Sequence, residues 1–409
     1  MSAEARDRRL LYAAVFLRAA ATGLIAVLLG LYLAQRGLDS GRVELIVGAG
    51  LVGAAVGALL VTLWGDRVGR RSALIAFALL SAGGAVALCF SSATWMLAAV
   101  ACAGMVNGMG RDRGAALILE QAILPGTTPD SGRTFVFARY NLLQDAGLAL
   151  GGLLAGSAGR LQAAAGLSAI DGQRVAIGAG AALLLVTALL YLALSPHAEE
   201  GAAATVAAGA RRVSSLSAPS RRIVLRISAL FAVDAVGGGF LTTAWLSFFF
   251  AERFGLGAGA LGLLFGAARA LNAVSHLGAA WLARRIGLVN TMVFTHIPSS
   301  LLLVTVAFAP SFPIAATLYL LREGLVEMDV PTRQSYVMAL VRPDERTVAS
   351  GVTHLVRLIG WAIAPFLGWM MSGLPLMVPL VVGAALKITY DVALWRGFRS
   401  VRPPEERPA

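Results

Sequence analysis

Ionisable side chains stand deep inside the long apolar runs of this chain. Arg18 lies in the run 10–34; Arg111, Asp112, Arg113 and Glu120 in 94–122; Asp234 in 222–250; Arg322, Glu323, Glu327, Asp329 and Arg333 in 312–340. An ionised group at mid-bilayer costs about 2.5–3.5 kcal/mol even on insertion scales, so each needs a partner or a wet cavity. The chemistry such groups do is the handling of protons and anions. On a continuous helix Arg113 and Glu120 lie two turns apart on one face, while Glu323 and Glu327, like Asp329 and Arg333, are four residues apart and meet. The Asp–Arg pair neutralises itself. The Glu pair cannot, so a shared or exchangeable proton is expected there. Asp234 and the Glu323–Asp329 stretch each lie about a dozen residues into their runs, hence at similar depth. Asp234, Glu323 and Glu327 are therefore the leading proton-coupling candidates, with Asp112 and Glu120 behind them.

Arg18, Arg111, Arg113, Arg322 and Arg333 offer fixed positive charge and planar donors suited to carboxylates and oxyanions. With Asn107 and Asp329 they form the expected lining of a substrate cavity, and they favour an amphiphilic or anionic cargo. The competing reading of each charge is a structural ion pair locking two helices, the reading preferred for Arg139, Asp145 and Arg269. His276, His296 and His354 read as hydrogen-bonded packing residues, because no pair falls at metal-ligand spacing. Arg357 shares a helical face with His354 and is an alternative contributor to the pocket. Tyr140, Asn141, Trp245, Tyr319 and Tyr336 fit stacking, hydrogen bonding or plain packing. No metal or cofactor is implied, and Cys89 and Cys102 read as small core residues.

The elements that must position these groups follow from composition. Of 409 residues 58% are hydrophobic and 14% charged, and the mean hydropathy is +0.76. Such a balance excludes a water-soluble enzyme. The fold class expected is an all-α integral membrane protein with about twelve transmembrane helices, each near the ~20 residues a crossing needs. They are placed at 10–34, 44–64, 73–92, 94–122, 134–157 and 174–195, then at 222–250, 258–281, 288–308, 312–340, 347–371 and 375–395. The run 10–34 is too long for a signal-peptide core and reads as a retained first helix. Between the two sets lies a stretch rich in Ala, Gly, Ser and Arg, which predicts a bundle at 1–195, a linker at 196–221 and a second bundle at 222–409.

The net charge of +12 does not point to nucleic acid. The basic residues are arginines, Lys387 excepted, and many sit in short loops that alternate in charge. By the positive-inside rule the side carrying Arg67, Arg70, Arg71, Arg133, Arg211, Arg212, Arg284 and Arg285, with both termini and the linker, is cytoplasmic. Asp66-Arg67-Val68-Gly69 has a counterpart in Arg284-Arg285-Ile286-Gly287. Likewise Pro129-Asp130-Ser131-Gly132-Arg133-Thr134 is echoed by Pro343-Asp344-Glu345-Arg346-Thr347. Two echoes in register point to duplicated halves.

Thr62-Leu63-Trp64-Gly65-Asp66-Arg67-Val68-Gly69-Arg70-Arg71 resembles the loop signature of the major facilitator superfamily, with Thr62 where the first glycine stands. Asp66, Arg67, Gly69, Arg70 and Arg71 are its conformational-loop residues. The resemblance implies two pseudo-symmetric six-helix bundles, with the first, fourth, seventh and tenth crossings lining a central cavity. Gly104-Met105-Val106-Asn107-Gly108-Met109-Gly110 resembles the fourth-helix pattern of proton-coupled members, but Gly104 replaces the coupling arginine. Gly147-Leu148-Ala149-Leu150-Gly151-Gly152 resembles the antiporter signature of the fifth helix, with leucine for proline. Close helix packing explains those glycines equally well. The stretches 288–300 and 328–336 look like those of a bacterial subgroup of facilitators.

The function this implies is secondary transport of a small solute or ion by alternating access in the cytoplasmic (inner) membrane, with proton-coupled efflux by a monomer preferred. Two alternatives stand beside it. One is a uniporter or exporter of a small anion, such as a metalloid or organic oxyanion, without proton coupling; the other is a receptor or scaffold that carries nothing. Enzyme chemistry is not expected, since no metal-ligand cluster, nucleophile elbow or phosphate-cradling loop appears.

Overall fold

The computed structural model describes residues 3–110, 114–127, 133–196, 198, 216–341 and 346–401, and among them finds helices joined by short turns and no strand. Nine stretches of the described residues are long and apolar enough to cross a membrane. The expected crossings 94–122, 134–157 and 312–340 are not among the nine; the first and last are interrupted.

The chain divides into two compact units, Met1–Arg211 with Thr242–Gly266, and Arg212–Leu241 with Ala267–Ala409. In the first, α1 (Ala3–Gln35), α2 (Ser40–Val68) and α3 (Arg70–Phe90) are continuous. The fourth run is not. It forms α4 (Thr94–Gly104) and α5 (Ala115–Ile123), separated by a segment that opens with Met105 in the left-handed conformation at φ 56°. The Asn107 side chain folds this segment on itself, donating to Met105 O at 3.1 Å and accepting from Met109 N at 2.9 Å. Asn-Gly chemistry thus outweighs the apolar character of the run. α6 (Arg133–Ala155), the short α7 (Ser157–Ala165) and α8 (Ala169–Leu192) follow.

The seventh run also breaks, into α9 (Ala218–Gly239) in the second unit and α10 (Thr243–Phe254) in the first. Three successive glycines end α9, and Thr242 caps α10 by accepting from Trp245 N at 3.1 Å. α11 (Ala258–Ile286) and α12 (Leu288–Phe308) are continuous. The tenth run splits into α13 (Phe312–Val326) and α14 (Asp329–Leu340). Pro331 stands in the first turn of α14, where its missing N–H ends the ladder that would have run back through Glu327. α15 (Arg346–Met370) and α16 (Val378–Phe398) complete the chain. Leu11, Leu74, Leu119, Tyr140 and Tyr191 lie in the core of the first unit, and Ile227, Phe231, Met292, Tyr336 and Tyr390 in that of the second.

Candidate functional site

In the first unit one group of buried charges forms a latch. Glu120 on α5, with no exposed surface, accepts from Arg18 of α1, from the Tyr140 hydroxyl of α6 at 2.5 Å and from the Tyr191 hydroxyl of α8 at 2.6 Å. Arg18 also reaches Tyr140 at 3.4 Å. Glycines set this geometry. A Cβ on Gly147 or Gly151 of α6 would strike the α1 backbone at Phe16 or Ala20, so α1 and α6 approach more closely than any side chain would allow. The packing reading of this glycine signature therefore accounts for what Gly147 and Gly151 do.

The second unit holds a larger network built around Asp234 of α9. Its Oδ1 accepts from Lys387 Nζ of α16 at 2.9 Å. Its Oδ2 accepts from Arg357 of α15 at 2.9 Å and from Arg333 of α14 at 3.4 Å. Arg333 also pairs with Asp329, as the four-residue spacing predicts. His296 of α12 closes the group: Nδ1 lies 3.0 Å from both oxygens of Asp391, and Nε2 lies 3.3 Å from Lys387 Nζ and 3.8 Å from Asp234 Oδ1. The Arg333 and Arg357 guanidinium groups face the Phe231 ring at 5.4 and 6.0 Å, and Arg357 also faces Trp361 at 4.8 Å. Gly237 and Gly383 bring α9 and α16 together, a Cβ on either falling 2.9 Å from the other's carbonyl oxygen, and Gly360 lies equally tight against Ala235. Lys387 is one turn beyond Gly383 and Arg357 is three residues before Gly360, so these approaches deliver both cations to Asp234.

The remaining candidates are placed as follows. Glu323 pairs with its neighbour Arg322 and accepts from Asn272 of α11 at 3.0 Å. Arg322 Nε and Asn272 Oδ1 in that group have no hydrogen-bond partner among the described residues. The expectation that Glu323 and Glu327 share one face of an uninterrupted helix is corrected, because α13 ends at Val326 and Glu327 is its cap residue; both are buried. Asn107 shapes the turn after α4. The expected Arg113–Glu120 face is likewise corrected, since α5 begins at Ala115. Arg111, Asp112 and Arg113 lie outside the described residues, as do the side chains of Asp66, Arg67 and His276. Gly69 has φ 97° and separates α2 from α3. Arg70 donates to Ala122 O at 3.1 Å and Arg71 to Leu192 O, so this loop ties off the carboxyl ends of α5 and α8. Arg139 is exposed and faces the Tyr12 ring at 5.4 Å; Asp145, Arg269 and His354 all have partners.

Sequence reasoning missed Lys387, Asp391 and Glu44; His296, read as a hydrogen-bonded packing residue, is buried and bonded to Asp391. Glu44 on α2 is 1% exposed, and neither carboxylate oxygen has a hydrogen-bond partner among the described residues. A signal for Lys387 was present, as the one lysine of the chain inside an apolar run. The stretches 288–300 and 328–336, which carried no role, contain His296, Asp329 and Arg333. Among the described residues no group of three or more His, Cys, Asp and Glu has the geometry to hold a metal ion.

Comparison with known proteins gives this arrangement its setting. The family model described as Major Facilitator Superfamily matches residues 11–365. The chain is 25% identical to the uncharacterized membrane protein YJR124C of Saccharomyces cerevisiae, over 95% of this chain and 93% of the yeast protein. The narrower likeness to a bacterial subgroup is not borne out, given that yeast relative. Among solved structures, the nucleoside transporter NupG superposes with a TM-score of 0.75 at 12% identity, covering 98% of this chain and all of NupG. The xylose transporter XylE from E. coli, in a partially occluded inward-open conformation, gives 0.74 at 13% identity over the whole of both chains. At such identities the superpositions speak for the fold alone. With its family model matched over most of its length, the chain belongs to the Major Facilitator Superfamily and is a multi-pass membrane protein of transporter type.

Proposed function

We propose that the chain is a proton-coupled secondary transporter that exports a small amphiphilic or anionic solute by alternating access. In this reading twelve crossings form two six-helix bundles, 1–195 and 222–409, joined by the 196–221 linker, in a monomer with both termini and the linker cytoplasmic. The host membrane is the cytoplasmic (inner) membrane. One observation carries the coupling: Asp234 is a buried carboxylate shared by Lys387, Arg333 and Arg357 with an imidazole beside it. Such a centre has several near-equivalent pairings among which a proton or an anion selects. Export is the direction implied by the resemblance of Gly147–Gly152 to the antiporter signature, beside the helix packing that Gly147 and Gly151 provide.

The test begins with a growth and accumulation screen of an overproducing strain against organic acids, metalloid oxyanions and amphiphilic drugs. Flux of the compound it returns is then measured in proteoliposomes under an imposed pH gradient. Flux that follows the gradient in the native protein and is lost in Asp234→Asn supports the reading. Flux indifferent to the gradient in the native protein overturns it.

A second reading is favoured by one feature, the close pairing of Asp234 and Asp329 with arginines. Here the carboxylates hold the arginines in place, and the arginines bind an anion without proton coupling. Transport that ignores the pH gradient but disappears in Arg333→Ala supports it.

A further inference from the structure

We propose that His296, backed by Asp391, is the proton-binding site of the second unit, and that its occupancy decides whether Asp234 is held by Lys387 or by the imidazole. The inference deepens the proton-coupled reading above and rests on it for its role in transport, though not for its chemistry. Both partners of the ring are fixed in kind. A carboxylate only accepts, so Nδ1 facing both oxygens of Asp391 at 3.0 Å must carry a hydrogen and donate it. An ammonium only donates, so Nε2 facing Lys387 Nζ at 3.3 Å must present its lone pair. The arrangement is therefore that of a neutral imidazole in the Nδ1–H tautomer, a base with its lone pair aimed at the network.

Charge counting agrees with this. Among the directly paired groups, Asp234, Asp329 and Asp391 balance Lys387, Arg333 and Arg357, so the paired group is neutral when the imidazole is neutral. A proton taken from hydronium forms one N–H bond at Nε2 and removes the acceptor that Lys387 uses. The two cations then repel, and Asp234 Oδ1, already 3.8 Å from Nε2, is the acceptor in place. Asp234 thereby trades one of its three cations for the imidazolium, and the ties from α9 to α14, α15 and α16 are redistributed.

The charged groups around His296 come from every helix packed against its own, including the buried carboxylates Glu327, at the end of α13, and Asp329, which pairs with Arg333 on α14. α16 contributes Lys387, Asp391 and the Tyr390 ring, edge-on at 6.0 Å. α9 contributes Asp234; α14 and α15 act through Arg333 and Arg357 on that same carboxylate. On α13, Arg322 and Glu323 pair with each other, and Glu323 with Asn272.

The experiment is nitrogen NMR of the full chain, labelled with 15N-histidine and reconstituted in nanodiscs, between pH 5 and 9. It needs no cargo. The chain has four histidines; the His296 signals are those lost in His296→Gln, or, where that variant does not fold, those that survive in His197→Gln, His276→Gln and His354→Gln. The expected spectrum shows His296 as the Nδ1–H tautomer at high pH and doubly protonated at low pH. Asp391→Asn should require roughly tenfold more acid for the same protonation, the loss of one adjacent carboxylate. An Nε2–H tautomer at high pH, or a ring that stays neutral to pH 5, overturns the proposal. Flux in proteoliposomes separates the two readings. If His296 titrates while flux ignores the pH gradient, the coupling reading fails and the site stands. If flux follows the gradient while His296 stays neutral, the site fails and the coupling reading stands.

Discussion

Both units tie two helices together with a buried arginine and a carboxylate, yet they do it with opposite polarity and very different surroundings. In the first unit the arginine is on α1 and the carboxylate on α5; in the second the carboxylate is on α9 and the arginine on α14. Glu120 accepts from one cation and from two phenols whose hydroxyls donate to it. Donors that converge on both of its oxygens favour one arrangement, and the group acts as a latch. Asp234 has three cations for two oxygens, and an imidazole within 3.8 Å. A centre with more donors than it can serve equally has several arrangements of similar energy, which is what a switch requires. The same residue types thus serve stability in one region and rearrangement in the other.

That contrast can be broken by substitution. The largest effect is expected from Asp234→Asn, which leaves Lys387 and Arg357 without their carboxylate while Arg333 keeps Asp329; removal of one partner from a buried pair costs about 3–5 kcal/mol, and pH-driven flux should vanish. Adding Lys387→Met restores charge balance, so thermal unfolding in detergent should recover most of that loss while flux stays absent. Next comes the latch. Arg18→Met alone should destabilise by a similar ~3–5 kcal/mol, but Arg18→Met with Glu120→Gln should recover both stability and flux, since the first unit needs the tie and not its charge. Equal loss of flux in the two double variants would end the distinction between latch and switch.

A smaller effect, about 1–3 kcal/mol of destabilisation, is expected for Gly383→Ala, whose Cβ would meet the Gly237 carbonyl. It should also weaken pH-driven flux, because it pushes Lys387 away from Asp234. The matching change Gly151→Ala on the latch side should lower the thermal midpoint without altering how flux responds to pH. Smallest is Glu44→Leu. Removing a buried carboxylate that has no hydrogen-bond partner among the described residues should raise the midpoint by an amount equivalent to about 1 kcal/mol.

Much of this was legible in the sequence, for reasons that can be named. Long apolar runs fix helices because backbone groups in lipid must bond internally, and continuous α1, α3 and α12 lie close to where the runs place them. The Asp329–Arg333 pair follows from spacing alone. The breaks at Met105, Phe240 and Met328 were marked by Gly-rich, Asn-Gly and Pro signals, but hydropathy over a long window overrode them. The partners of Asp234 were not legible, since Lys387 and Asp391 are about 150 residues away in the chain and only the close approach of α9 to α16 joins them. Tyr140 and Tyr191 were hidden in the same way, as the phenols of two later helices that converge on Glu120.

The most direct test compares pH-gradient-driven flux through two charge-neutral double variants in identical proteoliposomes, Arg18→Met with Glu120→Gln against Asp234→Asn with Lys387→Met. Native-like, gradient-dependent flux in the first and none in the second is the predicted outcome. Gradient-dependent flux that survives in the second variant would contradict the assignment of the switch to the Asp234 network.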